Sequence, residues 1–403
     1  MDEKILVTGI GIVNPLAIGV DSFTEQLLSE KSAIQPLNGL DLSHLGIQMG
    51  GMIPAFQPSQ YFDKRLLVKT ARFTNFALVS MKLAIEDAKL NLEQEDKSRM
   101  GIWFGNNAGG WDLCHQGFYE LYTQGSQMVN PWQATGWFPT AAQGFVSIRF
   151  GITGLSKSFV ADRASGASAL YFALQALKAD RIDTAFVGGC EAPFTRFGLL
   201  CYHETGQMST EEHSIFPYRP FDPLSSGIVL GEGGVVLVLE KESNARKRRA
   251  QIYGEIASSA MTTDGKPNEN LMLLKAMEQA LVKSKISPKE LDLIIAEGCG
   301  EKIADSLELD AIDCLSRRQG IECPVSSPKS YYGHLYGASL ATELAAGLVG
   351  MKRHFLPPTL GLTEDCPERV LCKLKKQNLR SFMINSRSRE GINASFVVKK
   401  SID

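Results

Sequence analysis

The 403-residue sequence has little net charge and no long apolar run. Lysine and arginine number 42 against 44 aspartates and glutamates, which gives a formal net charge of −2. Because positive and negative side chains are nearly equal in number, the sequence predicts no broad basic surface that would bind nucleic acid or an anionic membrane. No apolar run approaches the roughly 18 residues that span a bilayer, and the first residues lack the pattern of a secretory signal. These absences predict a cytoplasmic protein that binds neither nucleic acid nor membrane.

Cysteine pairs and common cofactor motifs are missing as well. The eight cysteines are scattered, and no two have the Cys-x-x-Cys spacing of a zinc site or a redox motif. The turn at residues 9–11 lacks the third glycine of the dinucleotide-binding fingerprint, because Asn14 stands in its place. There is also no Gly-x-Ser-x-Gly elbow of a hydrolase. We therefore expect reduced thiols, no metal and no cofactor.

What the sequence does contain is an alternation of short apolar runs and helical patterns, which is typical of an α/β fold. Buried strands are predicted at residues 5–8, 100–105, 184–189, 234–239, 293–296 and 394–398. Helices are predicted over about residues 68–89, 166–179, 272–285 and 337–352.

A short internal repeat accompanies this alternation. The tripeptide Gly-Ala-Ser opens an apolar helix at residues 166–168 and another at 337–339. A helix that is apolar on most faces is normally buried, so two such helices in corresponding places suggest a duplication. We expect an N-terminal half over residues 1–251 and a C-terminal half over residues 252–403. With no linker between them, the halves should form one compact unit.

Four motifs resemble the β-ketoacyl synthase family of the thiolase-like fold, and they follow the family's order over nearly the whole chain. They are Val-Thr-Gly-Ile-Gly-Ile-Val at 7–13, Arg-Pro-Phe-Asp with Gly-Glu-Gly-Gly between 219 and 234, Ser-Pro-Lys-Ser-Tyr-Tyr-Gly-His at 327–334, and Asn-Ser with Gly-Ile-Asn-Ala between 385 and 394. The resemblance implies a thiolase-like fold. Its two pseudo-duplicated halves form a layered α-β-α-β-α sandwich.

The same alignment implies that the catalytic centre is degenerate. Active members place a cysteine at the start of the first buried helix, where the helix dipole lowers the thiol pKa. Here Arg163 stands at that position, and arginine cannot attack a thioester. Glu297 replaces the first of the family's two histidines, whereas the second histidine, His334, and its companion Lys329 are retained. No catalytic residue is therefore expected in this chain.

Other changes surround that centre. Residues 387–390, Arg-Ser-Arg-Glu, stand where the family has Phe-Gly-Phe-Gly. Ser165 and Cys299 are the nearest substitutes for the lost nucleophile, but helix capping and inert burial are the favoured interpretations. Arg163 and Glu297 replace residues that face one another in the family. We therefore predict a buried ion pair between them.

A further segment, residues 107–118, resembles the chain-length factors of type II polyketide synthases. That resemblance implies a heterodimer with an active ketosynthase α subunit, an acyl carrier protein as partner, and a tunnel that limits the polyketide intermediate. Trp111, Cys114 and Phe118 have the spacing of one helix face, and the length-setting residues of the family fall on them. Phe138 and Phe197 are weaker candidates for the same wall. Ordinary core or dimer packing of an amphipathic helix is the alternative interpretation.

Two other functions stay open at this point. One is a pseudo-ketosynthase partner in an aryl polyene, polyene or fatty-acid-like pathway. The other is a stand-alone decarboxylase or hydrolase of malonyl carrier protein, which would use His334, Lys329 and Ser165.

Overall fold

The computed structural model describes residues 3–40, 42, 45–210, 216–266 and 269–401. Its strands are β1 (Ile5–Val13), β2 (Gln35–Pro36), β3 (Met49–Gly50), β4 (Met100–Gly105), β5 (Lys157–Phe159), β6 (Thr184–Glu191), β7 (Gly233–Lys241), β8 (Gly254–Thr263), β9 (Leu293–Ile295), β10 (Val325–Ser326), β11 (Phe355–Leu356), β12 (Lys375–Lys376), β13 (Ser381–Arg387) and β14 (Ile392–Lys399). Its α-helices are α1 (Val20–Leu28), α2 (Lys64–Leu67), α3 (Arg72–Asp87), α4 (Trp111–Gln124), α5 (Ala134–Trp137), α6 (Ala141–Phe150), α7 (Ser165–Lys178), α8 (Arg196–His203), α9 (Glu242–Lys247), α10 (Leu271–Ser284), α11 (Lys302–Gln319) and α12 (Ser339–Arg353).

The ten principal strands repeat one topology twice. The order across the sheet is β10-β9-β13-β14-β8-β1-β7-β6-β4-β5. Read outward from the centre of the sheet, the N-terminal half runs β1, β7, β6, β4, β5, and the C-terminal half runs β8, β14, β13, β9, β10. In each half the first strand is therefore followed by the fifth, fourth, second and third strands of that half. The pairing repeats as well: the first three strands are antiparallel and the outer three are parallel. This repetition confirms the predicted pseudo-duplication.

The helices cover the sheet in layers. Helix α3 packs on β1 and β7 at one outer face, and α10 packs on β8 and β14 at the other. Helices α7 and α12 lie between the two halves of the sheet and supply much of the central hydrophobic core. The structure is thus the layered α-β-α-β-α sandwich that the motifs predicted.

The two central helices begin very close together. A Cβ atom on Gly166 would lie 2.6 Å from the carbonyl oxygen of Gly337, and one on Gly189 would lie 2.0 Å from the same oxygen. Only glycine permits this approach of one backbone to another. The Gly-Ala-Ser repeat therefore marks the place where the two halves meet.

The predicted strands and helices are all present. The one clear difference is the helix expected over residues 68–89, which begins only at Arg72. Ala71 before it is extended, and the Thr70 hydroxyl hydrogen-bonds to the Asn75 side chain, 2.7 Å away, so the chain turns at this point. No helix among the described residues is both long and apolar enough to cross a membrane.

Candidate functional site

The four side chains of the predicted degenerate centre converge where α7 and α12 begin. Arg163 lies two residues before α7, Glu297 lies two residues after β9, and Lys329 and His334 lie in the segment that leads into α12. Arg163 exposes 4% of its surface, Glu297 3%, and the other two 0%. Charges buried this deeply are costly unless they are paired and hydrogen-bonded.

The hydrogen bonds of His334 fix where its proton lies. Its Nδ1 accepts the backbone N–H of Tyr336 at 3.0 Å and lies 3.1 Å from Ser339 Oγ. A nitrogen that accepts from an N–H carries no proton itself, so the proton lies on Nε2. Nε2 is 2.7 Å from Glu297 Oε1 and donates to it. The Nε2–H group of His334 is therefore hydrogen-bonded to a carboxylate of the same chain.

Lys329 lies beneath this pair and faces two carboxylates. Its Nζ donates to the Glu297 carbonyl oxygen at 2.6 Å and lies 3.9 Å from Glu297 Oε2. The same nitrogen is 2.7 Å from Oε2 of Glu343, a fully buried residue of α12. One ammonium therefore compensates two buried acids.

Two buried acids beside one cation cannot both keep ordinary pKa values. Burial works to raise the pKa of Glu297, but Lys329, His334 and Arg163 together bring it below its ordinary value. Burial and the negative charge of Glu297 outweigh Lys329 at Glu343, so its pKa is raised. Burial also lowers the pKa of His334 to about 4. The imidazole is therefore neutral near pH 7, in agreement with its hydrogen bonds.

The raised pKa of Glu343 predicts a pH dependence of stability. A carboxyl whose pKa is raised on folding contributes stability that is fully present below its unfolded pKa and is lost as the pH rises through the folded value. Between about pH 5 and pH 9 we therefore expect the native chain to lose more stability than Glu343→Gln does. Urea unfolding at both pH values measures the two losses. Equal losses in the two proteins would contradict the raised pKa.

The predicted ion pair between Arg163 and Glu297 is wrong as a direct contact. Among the described residues, Arg163 pairs with Asp162, whose Oδ2 lies 3.4 Å from Nε. The carboxylate of Glu297 instead pairs with His334 and Lys329. His334 and Lys329 both lie nearer to the Glu297 carboxylate than Arg163 does. A sequence alignment cannot rank these neighbours, because it gives no distances.

Neither substitute nucleophile is suited to that role. Ser165 Oγ accepts the N–H of Ala161 at 2.8 Å and donates to the carbonyl of Asp162 at 2.7 Å, so its hydroxyl holds the turn that precedes α7. Cys299 is 2% exposed, and burial raises its thiol pKa far above the ordinary value. At neutral pH the thiol is protonated and therefore unreactive.

The altered loop after β13 closes one side of a cavity of about 590 Å³. Arg163, Glu297 and Cys299 line it, together with Arg387 at the end of β13 and Arg389 of the loop. The N–H of Arg389 donates to Asp162 Oδ2 at 2.9 Å, which ties the loop to the turn before α7. The degenerate centre is thus open to this cavity through its arginine and glutamate.

Four of the five predicted wall residues lie on α4 and α8, and the fifth, Phe138, directly follows α5. The segment 107–118 is helical from Trp111 onward, and the Trp111 and Phe118 rings lie 5.7 and 6.0 Å from the ring of Phe197. Cys114 is buried beneath them, facing Gly136. Phe138 exposes 58% of its surface, and no ring contact is found for it among the described residues.

Aromatic rings also connect this wall to the degenerate centre. The ring of Trp111 lies 5.6 Å from that of Tyr202, which lies 4.7 Å from Tyr336, which in turn lies 4.8 Å from His334. At the other end Phe118 contacts Trp137 at 5.5 Å. Sequence reasoning did not single out Tyr202, Tyr336 or Glu343. The sequence signal that could have identified Tyr336 is its position two residues after the histidine motif.

The described residues contain no group of three or more histidine, cysteine, aspartate or glutamate side chains arranged to hold a metal ion. The buried acids near the centre have other partners. Asp305 accepts the N–H of Phe221 at 2.8 Å, and Glu308 accepts the N–H groups of Glu297 and Gly298 at 2.9 Å each. These carboxylates hold the backbone of the site in place.

Comparison with known proteins agrees with this geometry. The N-terminal domain of β-ketoacyl synthases matches residues 2–245 and the C-terminal domain matches residues 253–363. The tetracenomycin polyketide synthase ketoacyl synthase beta subunit of Streptomyces glaucescens is 31% identical, over 98% of both chains.

Two solved structures share the fold over the full length of both chains. The ishigamide ketosynthase/chain length factor has a TM-score of 0.92 at 22% identity. A type II polyketide synthase acyl-carrier protein in complex with its ketosynthase bound to the hexaketide gives 0.89 at 22% identity. Since the family's domains match both halves and a β subunit is 31% identical nearly end to end, the chain belongs to the β-ketoacyl synthase family, where it is similar to the ketosynthase β subunits of type II polyketide synthases.

Proposed function

We propose that this chain is the non-catalytic chain-length factor of a type II polyketide synthase. It pairs with an active ketosynthase α subunit, forms part of the tunnel for the growing polyketide and limits its length. The observation that carries the proposal is the hydrogen bond between Glu297 Oε1 and His334 Nε2, next to an arginine at the nucleophile position.

That hydrogen bond removes the chemistry that a condensing enzyme needs. Decarboxylation and acyl transfer develop negative charge on a thioester oxygen, which hydrogen-bond donors must stabilise. In this chain the Nε2–H of His334 already donates to a carboxylate, which also places negative charge where an oxyanion would form. Arg163 supplies positive charge but no nucleophile. The same facts argue against a stand-alone decarboxylase or hydrolase built on His334.

Restoring the nucleophile alone should therefore not restore activity. We expect Arg163→Cys, purified without a partner, to release no carbon dioxide from malonyl carrier protein above the level of the native chain. Glu297 still holds the imidazole donor of His334 in this variant. Radiometric or coupled assay of carbon dioxide release measures this. Turnover by Arg163→Cys would show that Glu297 does not block the site.

One edge of the sheet offers a surface for the partner subunit. Strand β5 is the last strand at its edge, and the structure gives it β4 as its neighbour on the other side. Val160 directly after it exposes 56% of its surface, and Phe172, which stacks on Phe159 at 5.3 Å, exposes 44%. An apolar strand edge left uncovered tends to associate. We infer that the ketosynthase α subunit covers this edge in a heterodimer.

The aromatic cluster on α4 fits the role of the tunnel wall. Trp111, Phe118 and Phe197 are large rings whose mutual contacts leave them little freedom to move aside. Trp137 extends the cluster toward the exposed side, where it is 53% exposed. Phe138 follows it there, and a partner that covers this side would bury both rings.

Co-expression tests the pairing directly. We expect this chain and the ketosynthase α subunit of the same pathway to co-purify and to elute from gel filtration as a one-to-one complex. Val160→Asp should weaken that complex, because it places a charge in an apolar interface. Glu204→Gln, at an exposed residue directly after α8, is the control that should leave it intact. A native chain that elutes as a stable homodimer in the presence of the α subunit would refute the proposal.

A further inference from the structure

Glu191 is a fully buried acid that lies outside the degenerate centre. It is the last residue of β6. Its Oε1 accepts the backbone N–H of Ala108 at 2.7 Å, and its Oε2 accepts those of Asn107 at 2.9 Å and Gly337 at 3.1 Å. The backbone of two other segments therefore supplies the donors that a buried carboxylate requires.

Two of these donors belong to the turn before α4, the helix that carries Trp111. Asn107 and Ala108 lie between the end of β4 and the start of α4, so they fix where the helix begins. Asn107 Nδ2 also donates to Tyr202 Oη at 3.0 Å, and the Tyr202 ring lies 5.6 Å from that of Trp111. The carboxylate is thus connected to the aromatic cluster through the backbone and through a side chain.

The third donor belongs to the segment that leads from His334 into α12. A Cβ atom on Gly337 would lie 2.4 Å from the Cα atom of Asn106, so this segment and the turn before α4 are in close backbone contact. The ring of Tyr336 lies 4.7 Å from that of Tyr202 and 4.8 Å from that of His334. One carboxylate therefore joins the turn before α4 to the segment before the second central helix.

Burial and a neighbouring acid oppose the charged form of Glu191. Burial raises the pKa of Glu191 to about 7, Asp162 acts in the same direction, and the three N–H groups only partly offset the rise. The Cys190 thiol and the hydroxyls of Tyr202 and Tyr336 also face this carboxylate, and burial raises their pKa values above the ordinary ones. These three groups stay neutral near pH 7, whereas the charge of Glu191 changes there.

We propose that Glu191 is a positioning residue for chain length, whose three hydrogen bonds hold α4, and with it Trp111, in place relative to the start of α12. The inference rests on the proposed function, since it assigns Glu191 to the tunnel wall of that function. A wall residue limits length only while its own backbone stays in place. Hydrogen bonds to an ionised acceptor are roughly twice as strong as those between neutral groups. Loss of the charge should therefore let Trp111 move aside and admit a longer polyketide.

Product analysis of the complex with the ketosynthase α subunit, acyl carrier protein and malonyl carrier protein tests this role. In Glu191→Gln we expect the ratio of longer to native-length polyketide to rise by about tenfold, the effect of losing one hydrogen bond to a charged acceptor. Mass spectrometry measures the ratio. Asp292→Asn is the matched control, because Asp292 is also a buried acid that accepts a backbone N–H, that of Arg380 at 2.7 Å, but it lies directly before β9. It should leave the ratio unchanged.

The pH dependence of the ratio separates positioning from a general structural role. With the native chain the ratio should be higher at about pH 6 than at about pH 8.5, because Glu191 is mostly protonated at the lower pH and ionised at the higher one. In Glu191→Gln the ratio should be the same at both pH values. The α subunit is identical in the two complexes, so its own titration affects both equally. The same pH dependence in both complexes would refute the assignment.

Failure of this inference and failure of the proposed function give different results. Longer products from Trp111→Ala with unchanged products from Glu191→Gln would overturn the positioning role alone. Unchanged products from both variants, with the complex intact, would overturn the tunnel wall as well. Should Glu191→Gln fail to fold, the native complex decides the matter, and a ratio that is equal at the two pH values refutes the assignment.

Discussion

Replacing Lys329 by methionine should lower the free energy of unfolding by about 3–5 kcal/mol, the cost of removing one partner from a buried ion pair. The substitution leaves the Glu297 carboxylate without its buried ammonium and removes the cation that contacts the buried acid Glu343. It also removes the donor to the Glu297 carbonyl, 2.6 Å away. Methionine keeps a similar length, so lost packing contributes little. Urea unfolding at neutral pH measures the change.

Two further variants separate the charge effect from a general loss of structure. Lys275→Met changes an exposed lysine of α10 and should cost less than about 0.5 kcal/mol. The double variant Lys329→Met/Glu343→Gln should recover part of the loss, since it also removes the second buried acid that Lys329 contacts. A Lys329→Met protein as stable as the native chain would mean that Lys329 does not balance these acids.

Replacing Trp111 by alanine in the assembled complex should shift the product toward longer polyketides. The Trp111 ring lies within 5.7 Å of Phe197 and 5.6 Å of Tyr202, so its removal opens the middle of the aromatic cluster. A packed wall does not yield to another ketide unit, whereas an opened one admits it. Mass spectrometry of the released products measures their length.

The matched control for that experiment lies on the same helix. Tyr122 is an aromatic residue of α4 that exposes 81% of its surface, so Tyr122→Ala should leave the product length unchanged. Longer products from both variants would point to general loosening of the complex. Unchanged products from Trp111→Ala, with the complex intact, would assign the aromatic cluster to packing alone.

The fold was predictable because its motifs report constraints on the backbone. The Gly-Ala-Ser repeat predicted two central helices because the close approach of Gly166 to the carbonyl of Gly337 excludes any side chain. Likewise, apolar runs at residues 184–189 and 234–239 predicted strands that are buried on both faces. Each of these constraints limits which residue types one short segment can contain. The residue types of that segment therefore indicate its structure.

The electrostatics of the site were not predictable in the same way. Alignment identified Glu297 and Arg163 as changes at facing positions, but it gives no side-chain distances. In the described residues, Glu297 lies 2.7 Å from His334, whereas the ion-pair partner of Arg163 is Asp162. Glu343, which lies 2.7 Å from Lys329, belongs to no motif and sits in the middle of a helix that reads as apolar. Its importance follows only from the folded arrangement. The contact of Trp137 with Phe118 likewise joins helices that the sequence left separate.

The most direct test of the account is an intact-mass measurement on the complex of this chain with its ketosynthase α subunit. Incubated with malonyl and acyl carrier protein, the pair should form polyketide, the acyl group should be found on the α subunit alone, and neither subunit should form product by itself. A covalent acyl adduct on this chain, or product formed by this chain without its partner, would contradict the proposal that its centre is inactive.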